Sequence, residues 1–420
     1  MGCRCERLGR ALGAGPLLVV FRSLRHRDFR LYFFGQLTSL HGTWMQTVAQ
    51  AWLVYRLTNS SFMLGLVSFF NLLPVLLLGL IGGVTADRFS RRRLMIVAQS
   101  AAMLQALVLG TLTLAGWIRP WQILVLATLL GVIQAFEMPA RHSFINGLVP
   151  RQDLANAIAL NSGAFNVARF LGPAIAGWLV LWYGEGTVFL INAASFFAVL
   201  GCLLLIPETV SPRRHSDGSV MQHLREGLQF AWQRPRIRAA LFMVGVISLL
   251  ASCVLVLMPV FAKEVFASGP RVLGLLFGAT GVGALAGALR LAHRRSYAGL
   301  DATIGVAALI ASVAASLFAQ IDVLWLALLI LVLAGAGQLS AVASANTLIQ
   351  LSADDEVRGR VMSLFAIIFI GFMPFGSLFA GILAHSLGAP ATVTLFALLC
   401  AMAAMVYLRL RGTRSPVPEQ

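Results

Sequence analysis

Apolar residues in this chain come in long, nearly uninterrupted runs, and the runs recur from about Leu31 to Leu410. A helix that crosses the hydrocarbon core of a bilayer needs roughly 20 mostly apolar residues. Twelve stretches meet that length, at roughly 30–56, 62–86, 94–117, 121–144, 155–181, 188–206, 239–261, 272–291, 303–320, 323–350, 361–384 and 392–410. The widest polar interval, residues 207–238, carries Pro207, Pro212, Arg213, Arg214, His215 and Asp217, then a pattern that predicts an amphipathic helix from Val220 to Trp232. It divides the spans into two sets of six. The pattern predicts an all-α membrane protein of 12 transmembrane helices in two six-helix bundles, 29–206 and 239–410. A basic segment 1–28, the linker 207–238 and a tail 411–420 complete the chain.

The two sets repeat each other. Gly131-Val132-Ile133-Gln134 aligns with Gly335-Ala336-Gly337-Gln338. At the same ungapped offset Leu160 meets Leu364, Phe165 meets Phe369, Gly172 meets Gly376, Gly177 meets Gly381 and Gly184 meets Gly388. Related six-span halves with a binding site between them near the midplane are one of the repeat designs of secondary transporters.

Composition agrees with burial in lipid. Of 420 residues, 59% are hydrophobic and 11% charged, against about 25% charged in a soluble domain, and the mean hydropathy is +0.84. The net charge of +16 would suggest nucleic acid in a soluble protein. Here the charges sit in short loops between spans, so no nucleic-acid partner is expected. Of the 32 basic residues, all but Arg56, Arg119, Lys263, Arg271 and Arg169 fall on one side of the alternating spans. The positive-inside rule places that side, with both termini and the central linker, in the cytoplasm. The short apolar patch Leu17 to Phe21 is too small for a signal peptide, so the first span is expected to be retained. Cys3, Cys5, Cys202, Cys253 and Cys400 show neither a disulfide nor a zinc-ligand pattern, so no metal is expected.

The sharpest local signal is Gly83-Val84-Thr85-Ala86-Asp87-Arg88-Phe89-Ser90-Arg91-Arg92-Arg93, between spans 2 and 3. A topogenic loop explains its arginines but not Asp87, which could pair with Arg91 four residues on if the turn is helical. At the end of span 4, Gln134, Glu137 and Arg141 share one helix face. An acid there needs a partner: either Arg141 in a structural pair, or Arg91 in a relay that exchanges partners. Span 5 carries Asn161, Asn166 and Arg169 ahead of Gly172-Pro173-Ala174-Ile175-Ala176-Gly177. A buried arginine there faces a cavity, a counter-charge such as Glu137, or carbonyls freed by Pro173. On span 1, Gln36, Ser39, Thr43, Gln46 and Gln50 recur at alternating steps of three and four and form one polar stripe. With Gln134, Asn161 and Gln338 it is expected to line a central cavity. His41 lies off the stripe and reads as a packed polar residue or a proton carrier.

The loop resembles the signature of the major facilitator superfamily, Gly-x-x-x-Asp-Arg-x-Gly-Arg-Arg. Gly83, Asp87, Arg88, Arg91 and Arg92 match it, and Ser90 replaces the second glycine. The resemblance implies the major facilitator fold and alternating access. It also implies a conformational latch at Gly83, Asp87, Arg88, Arg91 and Arg92, whose acid caps the start of span 11 near Gly359 to Val361. The equivalent second-half loop, Gly287 to Arg295, keeps Arg290, Arg294 and Arg295 but no acid. Gly163, Gly172, Pro173 and Gly177 resemble a shortened antiporter motif, which implies export. Pro139-Ala140-Arg141 through Leu148-Val149-Pro150, Asn161 to Gly177, Phe29-Arg30-Leu31-Tyr32-Phe33 and Trp52-Leu53-Val54-Tyr55 are similar to the enterobactin-exporter and macrolide-efflux branch of proton antiporters.

The expected activity is therefore secondary active transport across a bacterial inner membrane. It is proton-coupled efflux of a small organic molecule (drug, siderophore or metabolite) by a monomer, with Glu137, Arg141 and Arg169 as charge relay or coupling residues. No cofactor is expected beyond the proton gradient. An uptake symporter is the alternative, and a membrane enzyme or sensor a more distant one. The seven histidines are scattered, and no phosphate-binding Gly-x-x-x-x-Gly-Lys loop is present, so an enzyme is not expected.

Overall fold

The computed structural model describes residues 21–208, 220–294 and 299–410. The expected basic segment up to Val20, linker residues 209–219, Arg295 and the tail 411–420 lie outside the described residues. Among the described residues, the long elements are all helical. The first half comprises α1 (Arg27–Thr58), α2 (Ser61–Arg88), α3 (Arg91–Leu114), α4 (Pro120–Ile145) and α5 (Arg151–Leu205). The linker helix α6 (Val220–Gln233) leads into α7 (Pro235–Val260), α8 (Pro270–Ala292), α9 (Leu300–Gln320), α10 (Leu324–Ser352), α11 (Asp355–Leu387) and α12 (Ala389–Leu410).

Among the described residues, ten helices are long and apolar enough to cross a membrane. The expected twelve spans are reached by two routes. The 55 residues of α5 are broken at Gly184, at φ 77° and ψ 169°, a region open to glycine but strained for other residues. Its limbs therefore run in opposite directions and supply spans 5 and 6. The remaining span is α1, whose polar stripe keeps it out of the apolar set although it is 32 residues long. Chain ends of the helices follow local chemistry. The Ser60 and Ser90 side chains accept from the amides of Met63 and Arg93 and cap α2 and α3. Pro120, Pro235 and Pro270 occupy first-turn positions, where a missing N–H costs nothing.

The outer surface is apolar, as a bilayer solvent requires: Leu77, Val97, Leu104, Leu329 and Leu333 are exposed. Trp117, Trp121, Trp182, Tyr183 and Trp325 are exposed at the arginine-poor end of the spans, in the manner of an interfacial aromatic belt. At the opposite end α6 tucks beneath α11, with Gly227 against the Arg360 carbonyl and Glu226 paired with Arg360.

Candidate functional site

The halves meet along two helix pairs. On α2 and α11, Gly65 and Gly381 approach backbone to backbone, the Ser61 hydroxyl donates to the Gly381 carbonyl, and Ser68 bonds Ser377 at 3.1 Å. On α5 and α8, Gly177 lies against Pro270 and Arg271, Gly274 against the Pro173 carbonyl, and Gly281 against Phe170 and the Arg169 carbonyl. Three candidate antiporter-motif residues thus build close helix contacts. Gly172 receives Trp44 and the His41 carbonyl of α1, while Pro173 and Gly177 receive α8. Gly163 is exposed and has open space around it.

Two polar links close the arginine-poor end. The Tyr55 hydroxyl donates to Glu264, and the Lys263 ammonium donates to Asn59 and lies over the Tyr55 ring. Lys263 and Glu264 sit on a single π-helical turn, Phe261–Val265, that ends α7. Within the first half, Arg56 grips Glu185 through Nε at 2.7 Å and Nη2 at 3.2 Å. The sequence reading missed these contacts. A usable signal was present, since Lys263 is the only lysine of the chain and lies at the end that carries few charges.

Among the described residues, no hydrogen bond joins the halves at the arginine-rich end. Asp87 is exposed there and forms neither a hydrogen bond nor an ion pair. The Asp87–Arg91 pairing is not formed, because α2 ends at Arg88 and α3 begins only at Arg91. Instead Arg91 donates to the Ser143 carbonyl at 3.2 Å, and Arg92 to the carbonyls of Leu203 and Leu204 at 2.7 and 2.9 Å. These arginines complement the C-terminal ends of α4 and α5, where unpaired carbonyls concentrate negative charge. Arg88 is exposed and Gly83 has open space at its Cβ position. Ser90 stands at φ −58°, so the turn does not need the glycine it replaces. Bonding to Ser90, with Arg93 and Arg92 nearby, holds the Glu208 carboxyl below the usual carboxylate range.

The intramembrane charges separate. Glu137 faces Arg141 at 3.6 Å, both 12% exposed, and its Oε1 receives the Gln99 amide at 3.4 Å. It does not pair with Arg169. Tyr32 packs edge-on against Phe144 beside this site. The Tyr32 hydroxyl, Gln36 Oε1 and Gln99 Oε1 are buried without hydrogen-bond partners, which in native proteins marks a place for water or for a changed protonation state. Arg169 is half-buried and forms no hydrogen bond or ion pair among the described residues. Its guanidinium lies 5.8 Å from the Trp44 ring centroid.

The polar stripe of α1 departs from expectation. Gln46 is 3% exposed and is bonded within its own bundle. Its amide donates to Gln105 at 3.0 Å and its carbonyl accepts from Asn192 at 2.7 Å, a network tying three helices together. Gln36 and Ser39 are also buried, while Thr43, Gln50, Gln134 and Asn161 are half-buried. A stripe on a helix ringed by its own bundle can be satisfied inside it, since buried amides need partners wherever they lie. His41, half-buried, donates from Nδ1 to the Leu37 carbonyl at 2.7 Å. Gln338 lines a cavity of about 20 Å³ inside the second half, together with Thr280 and Ala311.

A sequence profile described as Transmembrane secretion effector matches residues 19–419. The Staphyloferrin A transporter of Staphylococcus aureus is 27% identical over 390 residues, 90% of this chain and 94% of that protein. The multidrug efflux pump Tap of Mycolicibacterium fortuitum is 27% identical over 413 residues, covering 94% and 97%. Among solved structures, a bacterial homolog of the human lysosomal transporter Spinster superposes with a TM-score of 0.72 at 16% identity, covering 95% of this chain and 99% of that one. The nucleoside transporter NupG gives 0.71 at 13%, covering 91% and 99%. At those identities the superpositions establish the fold.

Proposed function

The chain belongs to the transmembrane secretion effector family of major facilitator transporters, and on that premise we propose that it exports a small organic molecule in exchange for protons. The arginine-rich end is assigned to the cytoplasm of a bacterial cell by the positive-inside rule. The observation that carries this reading is the asymmetry between the two ends. The halves are bonded through Tyr55–Glu264 and Lys263–Asn59 at one end, while Asp87 stands without a partner at the other. A site opened to that end exchanges with the cytoplasm, which is where an exporter loads its cargo. The multidrug efflux pump Tap among its relatives supports the same direction.

Glu137 is the group we assign to the proton. It is the one acid that falls within the twelve expected spans, toward the end of span 4. Its contact with Arg141 is too long for a hydrogen bond, and Gln99 Oε1, on the side chain that reaches it, lacks a donor. A protonated Glu137 supplies such a donor after an amide rotation, whereas the carboxylate retains Arg141. Exchange of Glu137 between these arrangements couples proton entry to the relay, and an exchange with Arg91 requires Arg91 to leave the Ser143 carbonyl. The test is uptake of a substrate panel into everted vesicles under an imposed pH gradient. Glu137→Gln should retain substrate exchange at equal pH and lose accumulation driven by the gradient. Gradient-driven accumulation at the wild-type level in that variant would remove Glu137 from coupling. Accumulation only under the opposite gradient would turn the assignment into uptake.

A further inference from the structure

Among the described residues the guanidinium of Arg169 has no hydrogen bond or ion pair and lies only over the Trp44 ring, beside the last glycine-mediated approach of α5 and α8. Close approaches between α5 and α8 run from Gly177 at the bonded end to Gly281, which lies against Phe170 and the Arg169 carbonyl. Beyond that point, toward the arginine-rich end, α5 continues through Asn166, Phe165 and Asn161, all half-buried. These residues share a helix face with Arg169 at spacings of three, four and eight. On α1 of the same half, Trp44 lies 5.8 Å from the guanidinium and 5.6 Å, edge-on, from the Phe165 ring. The arrangement joins one cation to two aromatic rings.

An arginine cannot shed its proton to escape a low dielectric, so a guanidinium within a span is held by an anion, by carbonyls, or by a ligand. The first two are missing here. Glu137 is committed to Arg141 and Gln99, and no carbonyl receives Arg169 although Pro173 lies one turn away. We propose that Arg169, Trp44 and Phe165 form the recognition site for an organic acid anion bearing an aromatic ring. The planar fork holds the carboxylate by paired N–H bonds, and the rings take the flat apolar portion in offset or edge contact. Asn161, two turns along the same face, offers amide donors to further oxygens of the cargo. This inference rests on the transport reading and narrows it to a substrate class.

The test is binding to the purified full-length chain in neutral detergent, measured calorimetrically with 2-naphthoate and with its uncharged counterpart 2-naphthamide. The wild type should bind the acid at least tenfold more tightly than the amide. Arg169→Gln should abolish the preference, Arg169→Lys should keep a reduced one because the point charge survives without the fork, and Trp44→Leu should weaken both probes together. Equal binding of acid and amide by the wild type, no saturable naphthoate binding, or unchanged naphthoate affinity in Arg169→Gln would each overturn the proposal. Should Arg169→Gln fail to fold, the Arg169→Lys and Trp44→Leu comparisons decide it alone. Repeating the titration in phosphatidylcholine nanodiscs with and without phosphatidylglycerol separates a soluble acid from a lipid headgroup. Loss of naphthoate binding as the anionic lipid rises would assign the guanidinium to lipid and overturn the substrate role. Binding in detergent needs neither gradient nor direction, so its failure beside intact vesicle transport sinks this inference and leaves export standing.

Discussion

A methyl group added at Gly65 should act on the conformational equilibrium, whereas one added at Gly131 should act on folding. A Cβ at Gly65 falls 2.6 Å from the Ser377 carbonyl oxygen and 2.9 Å from the Gly381 Cα, far inside the 3.4 Å at which ordinary contact begins. Both obstacles are backbone atoms of α11 in the other half, so no rotamer change relieves them. Separating the halves at that end does, and the transport cycle already provides that motion. Overpacking of this kind costs about 1–3 kcal/mol, which corresponds to a shift of about 5–150-fold in a two-state equilibrium. At Gly131 the Cβ meets the Asn71 carbonyl at 2.1 Å, but α2 and α4 belong to one half and stay together throughout the cycle. Nitroxide labels at Trp117 and Trp325, which are each 72% exposed at the arginine-poor end, report the separation on a background with the native cysteines replaced by alanine. Gly65→Ala should move the distance distribution toward the long component with a modest drop in melting midpoint. Gly131→Ala should lower the midpoint and leave the distribution alone. An unchanged distribution in Gly65→Ala, with a midpoint as low as that of Gly131→Ala, would refute the reasoning.

Tyr55→Phe removes the phenol that bonds Glu264 across the halves; hydrogen bonds to charged groups contribute about 1.5–3 kcal/mol, so the same label pair should show a larger open population, and an unaltered distribution would assign closure to helix packing alone. Asp87→Asn should insert and melt as the wild type does, because Asp87 is exposed and unbonded here, yet transport more slowly; a wild-type rate in a well-expressed variant would remove its latch role. Cysteines placed one at a time in residues 207–238 should react only with reagents that enter the cytoplasm, and labelling from outside intact cells would reverse the orientation.

The spans were legible because a bilayer leaves little choice. Its hydrocarbon core demands about 20 apolar residues per helix and satisfaction of every backbone group within the segment. Even the reversal within α5 was marked, since Tyr183-Gly184-Glu185 interrupts the apolar run and Gly184 adopts the positive φ that turns the chain. Periodicity also identified which residues share a face, as for Gln36 through Gln50. It could not tell which neighbour that face meets. Gln46 bonds Gln105 and Asn192, far away in sequence, and such partners follow only from how three helices pack. The same limit hid Tyr55–Glu264, whose residues come from different halves, and left open which of Arg141, Arg91 and Arg169 faces Glu137. Arg91 and Arg169 sit on other helices, and Glu137 finds its counter-charge one turn along its own.

The signature loop divides its work in a way that bears on energetics. Arg91 and Arg92 fasten the ends of α4 and α5 within the first half, and these contacts need not change when the halves rock. Among the described residues of the loop, Asp87 and Arg88 are exposed without hydrogen bonds or ion pairs, so a latch to the other half would fall to them. A carboxylate at a helix N-terminus is worth about 0.3–1 kcal/mol when exposed, and up to about 2 kcal/mol in a partly buried setting. Reversing an equilibrium from 1:99 to 99:1 takes about 5.5 kcal/mol. A single latch contact therefore biases the cycle without being able to drive it. The larger share has to come from groups whose bonding differs between states and that lie where cargo and protons enter. In this chain those are Arg169, which has no hydrogen bond or ion pair among the described residues, and the incompletely bonded Glu137 site, which is why substitutions there should change which state is populated more than Asp87→Asn does.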